Sequence, residues 1–386
     1  MAALNATFAC IVFFLLLFCS TNNCEAKCFK AIISFGDSLT DTGNLIHLSE
    51  NSNYKQQQIV QCGLLPYGET FFHHPTGRCS DGRLVIDFLG ESLGLPLVPP
   101  YIGRKNVGSR NFREGVNFAV AGATALNHSL LEELGIYNPQ TNVSLGTQLR
   151  WFKEMLSSLC QSSSECKDFL KSSLILFGEI GGNDYNFPLL GGMPIQMVQP
   201  MVPLVINYIG QIINEVIKLG AETLIVPGNL PLGCLPAYLD RFMSTNKNDY
   251  YDPNTGCINW LNEFSEYHNE MLQVELNRLQ QLHPHATIIY GDYYNALMQL
   301  YLSPQKYGFK SAIVACCGGK GPYQVDISTQ CGDSSANVCD DPSTFVSWDG
   351  IHSTEAAYKW MAQSIISGPF SIPHINELCT FRVSTT

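Results

Sequence analysis

Basic charge is scarce in this chain of 386 residues: 22 Lys and Arg stand against 33 Asp and Glu, a formal net charge of −11. A nucleic-acid partner needs a concentrated basic surface, so this balance argues against one. Charged residues make up only 14% of the chain and hydrophobic ones 45%. Such a chain buries a large core, which argues against disorder. No internal repeat and no low-complexity linker occurs, so one domain is expected. No pair of Cys-x-x-Cys units occurs, which removes the usual zinc spacing. After residue 18 no segment reads as long and apolar enough to span a bilayer, and no stable membrane insertion is expected.

What is present begins with an apolar run at 8–18, too short for a comfortable span. Cys24-Glu25-Ala26 places small residues at the usual cleavage positions. The reading is a signal peptide over 1–26, cut after Ala26, followed by one domain over 27–386. No Lys or Arg precedes Phe8, so an uncleaved anchor stays open as the alternative. Of 15 cysteines, Cys10, Cys19 and Cys24 fall in that segment and twelve follow it. An even number in an exported chain favours disulfides. Cys160 and Cys166 are spaced to close a small local loop; the pairing of the others is not legible. Asn127-His128-Ser129 and Asn142-Val143-Ser144 are glycosylation sequons, usable only on a secretory route.

Five short apolar runs read as strands, at 30–35, 116–121, 174–177, 223–226 and 287–290. Helical stripes occupy 203–219, closed by Gly220, and 258–282, ended by Pro284. A last helix covers 353–366, with Ser353 or Thr354 as its cap. Strands alternating with helices imply a mostly parallel sheet covered on both faces, with ligands beyond its carboxyl edge. Gly36-Asp37-Ser38, Gly122 and Gly181-Gly182-Asn183 all follow strands and are expected on that rim. The Cys-, Gly- and Ser-rich stretch 303–342 reads as a disulfide-bound loop region.

The chemistry is concentrated in a few of these residues. Gly-Asp-Ser occurs twice, at 36–38 and 332–334, but only the first follows an apolar strand. Ser38 is therefore a candidate nucleophile, or else a turn or cap. Asp349 stands three residues before His352, a spacing that lets a carboxylate hold Nδ1–H and leaves Nε2 for a serine proton. A capping aspartate beside an exposed histidine is the plainer account. Asn183, Gly122 and the Ser38 amide are candidate donors to an oxyanion. Trp348, Met193-Pro194-Ile195 and Tyr293-Tyr294 are candidates to line an acyl pocket, but core packing is the plainer account. His73-His74 reads as solvent-exposed or structural, with no carboxylate cluster beside it to hold a metal.

Taken together, these motifs resemble the GDSL esterase/lipase family of the SGNH hydrolases, and its large plant branch in particular. The resemblance rests on 35–44 (Phe-Gly-Asp-Ser-Leu-Thr-Asp-Thr-Gly-Asn), 115–123 (Gly-Val-Asn-Phe-Ala-Val-Ala-Gly-Ala), Gly181-Gly182-Asn183-Asp184 and Asp349-Gly350-Ile351-His352. The segments 66–68, 77–83 and 227–234 also match, so it spans about 32–366. It implies a three-layer α/β/α sandwich and hydrolysis of carboxylic esters in a secreted protein. It also implies a Ser38–His352–Asp349 triad, an oxyanion hole of Ser38, Gly122 and Asn183, and neither metal nor cofactor. Val120-Ala121-Gly122 departs from the family's frequent Ser-Gly-Gly but keeps the glycine. The motif wording is similar to the subgroup of acetylajmalan and sinapine esterases, which points to small acyl esters of plant metabolites. An acyltransferase built on the same acyl-enzyme, or a silent lipid- or glycoside-binding protein, are the alternatives.

Overall fold

The computed structural model describes residues 28–51, 60–104, 109–245, 250–326 and 328–378. The proposed signal segment 1–26 lies outside them. Six strands form the central sheet: β1 (Ala31–Phe35), β2 (Gly115–Asn117), β3 (Ser173–Phe177), β4 (Thr223–Pro227), β5 (Thr287–Gly291) and β6 (Ser371–Ile372). Their order is β6-β5-β4-β3-β1-β2, with every pair parallel except β6 on β5.

Alternate strand residues face opposite layers, as the two-residue period of a strand requires. Ala31, Ile33, Phe35, Ile175, Phe177, Leu224 and Val226 enter one core; Ile32, Leu174, Leu176, Ile225 and Ile289 enter the other. Five helices of consequence before the carboxyl end are α1 (Val85–Ser92), α2 (Leu145–Leu159), α3 (Gly182–Leu190), α4 (Val202–Leu219) and α5 (Asn259–Leu282). Two more follow, α6 (Tyr293–Leu302) and α7 (Glu355–Ile366). Helices α2, α4 and α5 cover the first face, and α1, α6 and α7 the second. The result is the expected three-layer α/β/α sandwich.

The chain leaves β1 to build β2 on one side and then returns to place β3 on the other. In a doubly wound sheet that reversal opens a crevice beyond the carboxyl ends of the two flanking strands. The turns after β1 and β3 meet there: the Asp37 amide donates to the Glu179 carbonyl (3.2 Å), and the Gly178 amide to the Phe35 carbonyl (2.8 Å).

The structure departs from the sequence reading in several places. A sixth strand, only two residues long, adds an antiparallel edge to the five expected. Strand β2 stops at Asn117, although the apolar run continues to Ala121. Residues 118–121 are buried yet bonded largely by side chains and loop backbone: Asn44 Nδ2 donates to the Asn117 and Ala119 carbonyls, and the Ala121 amide donates to Asp41. The last helix starts at Glu355, because the Thr354 side chain accepts the Ala357 amide and caps it. Finally, Ile195–Leu219 is a helical run of 25 residues that does meet the length and composition of a membrane span. Its apolar stripe is spent on the sheet, where Val205, Ile209, Ile213 and Val216 are buried.

Cys160–Cys166 close the short loop expected of them, and Cys62–Cys79, Cys234–Cys257, Cys316–Cys339 and Cys317–Cys331 are also bonded. The last two tie down the region 303–342, which is not all loop as expected: Ser311–Ala315 pairs with Phe345–Ser347, and Cys317–Gly318 with Asn337–Val338.

Candidate active site

The turn after β1 is fixed from three directions. Gln148 of α2 takes the Gly36 amide (2.9 Å) and donates to the Gly36 carbonyl (2.8 Å). The Asp37 carbonyl accepts the Thr40 and Asp41 amides, which closes a tight turn with Ser38 at its crest. Beneath it Phe35 stacks on Phe177 and Phe118 with centroids 5.0 and 5.6 Å apart, a rigid aromatic floor. Asp41, fully buried, accepts four backbone amides, from Gly43, Asn44, Leu45 and Ala121. Burial pushes its carboxyl above the usual range, against the pull of those four amides. Asp41 thereby pins the segment carrying Gly122 to the segment carrying Ser38.

His352 reaches this crest from the loop before α7. Its Nε2 lies 2.8 Å from Ser38 Oγ, and its Nδ1 lies 2.7 Å from Asp349 Oδ2. The loop can hold both because Gly350 sits at φ +102°, where a side chain would be strained. Asp349 is almost completely enclosed by donors. Oδ1 accepts the Ile351 and His352 amides (3.1 and 2.9 Å), and Oδ2 accepts the Tyr67 hydroxyl (2.7 Å) beside the ring. Burial works to raise this carboxyl, but the His352 charge and these hydrogen bonds outweigh it and hold it below the usual range. An acceptor-only carboxylate fixes the ring: Nδ1 carries the proton, and Nε2 is left to accept from Ser38.

The expected oxyanion donors stand differently from one another. Among the described residues, the Ser38 and Gly122 amides have no protein acceptor. Gly122 lies at φ +80°, behind Gln140; a Cβ there would collide with the Gln140 side chain. Asn138 holds its carbonyl (2.9 Å). Asn183, at the start of α3, spends both Nδ2 hydrogens on protein, donating to Asp37 Oδ2 (2.9 Å) and the Ala123 carbonyl (3.0 Å). Ser38, His352 and Asn183 open together onto a cleft of about 520 Å³. Tyr137, Phe187, Leu190, Met193 and Ile351 give it an apolar wall, and among the described residues no Lys, Arg, Asp or Glu lines it.

Residues 32–365 match the family described as GDSL-like Lipase/Acylhydrolase. The chain belongs to that family. An Arabidopsis thaliana GDSL esterase/lipase is 54% identical over 375 residues, covering 96% of this chain and 94% of the relative. A second from the same plant is 52% identical, over 96% of this chain and 92% of its own. A third is 54% identical, over 93% and 89%. As a GDSL lipase/acylhydrolase, the chain is by class a carboxylic ester hydrolase.

Some residues of this GDSL chain were not singled out by sequence. Tyr67 donates to Asp349 from 282 positions away; the match of segment 66–68 marks it, but not this role. Met193, read as core, lines the cleft. Trp348, Tyr293 and Tyr294 are core as expected. His73 and His74 are exposed, their Nδ1 atoms bonded to the Glu69 and Pro75 carbonyls. The second Gly-Asp-Ser is a turn beside the Cys317–Cys331 bond. Asn127 and Asn142 are both exposed, and Asn127 caps a short helix by accepting the Leu130 amide.

Tyr67→Phe tests the fourth contact on Asp349. Burial and the adjoining Asp349 charge keep the Tyr67 phenol protonated far above its ordinary range, so it is a donor at every working pH. Without it the carboxylate charge is less dispersed and pulls harder on the ring proton. The acidic limb of the kcat/KM profile should move to higher pH, by up to about one unit. An unchanged profile would show that the phenol serves packing alone.

Proposed function

We propose that this protein hydrolyses carboxylic esters through an acyl-enzyme on Ser38. His352 takes the Ser38 proton as Oγ attacks the ester carbonyl, and Asp349 steadies the imidazolium. The Ser38 and Gly122 amides, which have no competing acceptor, receive the developing oxyanion. Asn183 joins them by sharing one of its Nδ2 hydrogens away from the Ala123 carbonyl. His352 then protonates the departing alcohol and activates water on the acyl-enzyme. The observation that carries this reading is the unbroken pair of hydrogen bonds, 2.8 and 2.7 Å, joining Ser38 to His352 and His352 to Asp349.

The cleft supports a neutral substrate. It offers apolar walls, the amides of Gln140 and Asn186 and, among the described residues, no Lys, Arg, Asp or Glu to pair with an anion or a cation. A volume of about 520 Å³ suits a small acyl ester of a plant metabolite, acetyl or hydroxycinnamoyl. The disulfides and the residues 1–26 support a secretory route, with extracellular space, wall or vacuole as destination. Asn127 and Asn142 are then glycan acceptors.

The test is covalent capture. A fluorophosphonate should label the protein once, on the peptide carrying Ser38, and p-nitrophenyl acetate should give a burst of nitrophenol equal to the enzyme present. Label on another residue, or none, would overturn the reading. Running the same assay with added alcohols, and separating free acid from transferred ester, distinguishes hydrolysis from acyl transfer.

A further inference from the structure

Beneath the candidate oxyanion site lies a pair of acidic groups that the proposed mechanism does not use. Asp37 and Glu179, 2% and 3% exposed, come from the turns after β1 and β3. The Asp37 amide donates to the Glu179 carbonyl (3.2 Å), which brings the two turns and their interacting carboxyls together. Two carboxylates in contact cannot both be ionised, so the pair holds a proton. The surrounding donors decide where. Asp37 already accepts the Leu39 amide and the Asn183 side chain, each at 2.9 Å, whereas Glu179 accepts only the Gly182 amide at 2.9 Å. Burial pushes both carboxyls up, Asp37 to about 7 and Glu179 further, so Asp37 is the one that ionises first and the proton that stays is on Glu179. Burial, then the Asp37 charge, drives the Glu179 carboxyl well above its ordinary range, in the same sense.

We propose that Glu179 is a positioning residue for the Ser38 reaction: as a neutral acid it donates to Asp37 and so holds the Asn183 amide at the oxyanion site. The inference rests on the acyl-enzyme reading and deepens it. Asn183 Nδ2 faces Asp37 Oδ2, an acceptor that fixes its orientation but carries negative charge close to where more develops. Unrelieved, that charge opposes the oxyanion. The Glu179 proton disperses it while leaving the acceptor in place. Glu179 has little freedom to do otherwise, since Gly182 sits directly against its carboxylate: a Cβ there would lie 2.8 Å from Oε2.

The test is a double-mutant cycle read as kcat and KM on a short p-nitrophenyl ester, with Glu179→Ala, Glu179→Gln, Asn183→Ala and the Glu179→Ala/Asn183→Ala pair. Glu179→Ala should lower kcat on the order of tenfold, one step short of the 10²–10³ lost with an oxyanion donor, with KM little changed. Glu179→Gln should stay within about twofold of the parent, because its amide can donate to Asp37 and accept from Gly182. The Glu179→Ala loss should vanish in the Asn183→Ala background, as it must if one residue acts through the other. Losses that multiply in full would overturn the proposal, as would a Glu179→Gln protein as slow as Glu179→Ala or unable to fold. A readout independent of turnover is the infrared difference spectrum of parent minus Glu179→Gln at neutral pH. A protonated-carboxyl band should appear there, and its absence would overturn the proposal. A parent that cleaves no ester but shows the band would sink the acyl-enzyme reading and leave the acid pair standing.

Discussion

Replacing Asp349 by Asn should lower kcat by about 10⁴, close to 5.5 kcal/mol of transition-state stabilisation, with little change in fold. The size follows from the donors around the carboxylate. Oδ2 accepts from the Tyr67 hydroxyl and His352 Nδ1, and Oδ1 from two backbone amides. An amide NH₂ placed at Oδ2 would face two donors. The imidazole must then turn to the tautomer with its proton on Nε2, and that nitrogen can no longer accept from Ser38. Turned the other way, the NH₂ would face two backbone amides that cannot move. Fluorophosphonate labelling should slow in parallel, since it uses the same proton transfer. A variant within tenfold of the parent would show that Asp349 does not set the tautomer. The carboxylate also contributes to stability. Its pKa is depressed in the folded state, so the contribution is present above the ordinary carboxylate range and fades as pH falls through the depressed value.

The sequence carried the outline of this site because its parts are local. Ser38 is legible from the strand before it, and Asp349 and His352 from a three-residue spacing within one loop. The sheet is legible because strands buried on both faces give continuous apolar runs. Where the reading failed, burial had come by another route. The apolar run past Asn117 reads as strand, yet only the Phe118 and Val120 amides still reach the β1 backbone and its turn, while side chains of Asn117, Asn44 and Asp41 take the rest. The stripe on α4 is as apolar as a membrane span, and only the sheet beside it shows what covers it.

Contacts between distant segments had no sequence signal at all. Tyr67 and Asp349 meet across 282 positions, and Asn183 meets Asp37 across 146. The proposed oxyanion arrangement is legible only as a set of residue types. That Asn183 donates to Asp37 and Ala123, while the Ser38 and Gly122 amides lack acceptors among the described residues, depends on where three loops cross.

One such crossing decides how firmly Tyr67 is held, and Asp87→Ala should expose it with a loss of about 3–5 kcal/mol in stability. Arg78 donates to both Asp87 oxygens at 2.8 Å, with side chains 6% and 0% exposed. Its guanidinium also lies 4.7 Å over the Phe72 ring. The next residue, Cys79, is bonded to Cys62, so this ion pair ties the loop containing Tyr67 to α1. Removing one partner leaves a buried cation with no counter-charge, which is the expensive half of any buried pair. A folded domain has only about 5–15 kcal/mol in reserve, so the urea midpoint of the disulfide-intact protein should fall sharply. The Arg78→Met/Asp87→Leu pair separates the causes. If the unpaired charge is what destabilises, two apolar side chains of similar bulk should restore most of the midpoint. If the double variant is as weak as the single one, the fork geometry and the Asp87 bond to the Leu84 amide (2.9 Å) hold the loop. In that case ester turnover should drop with stability, because Tyr67 would no longer be placed to meet Asp349.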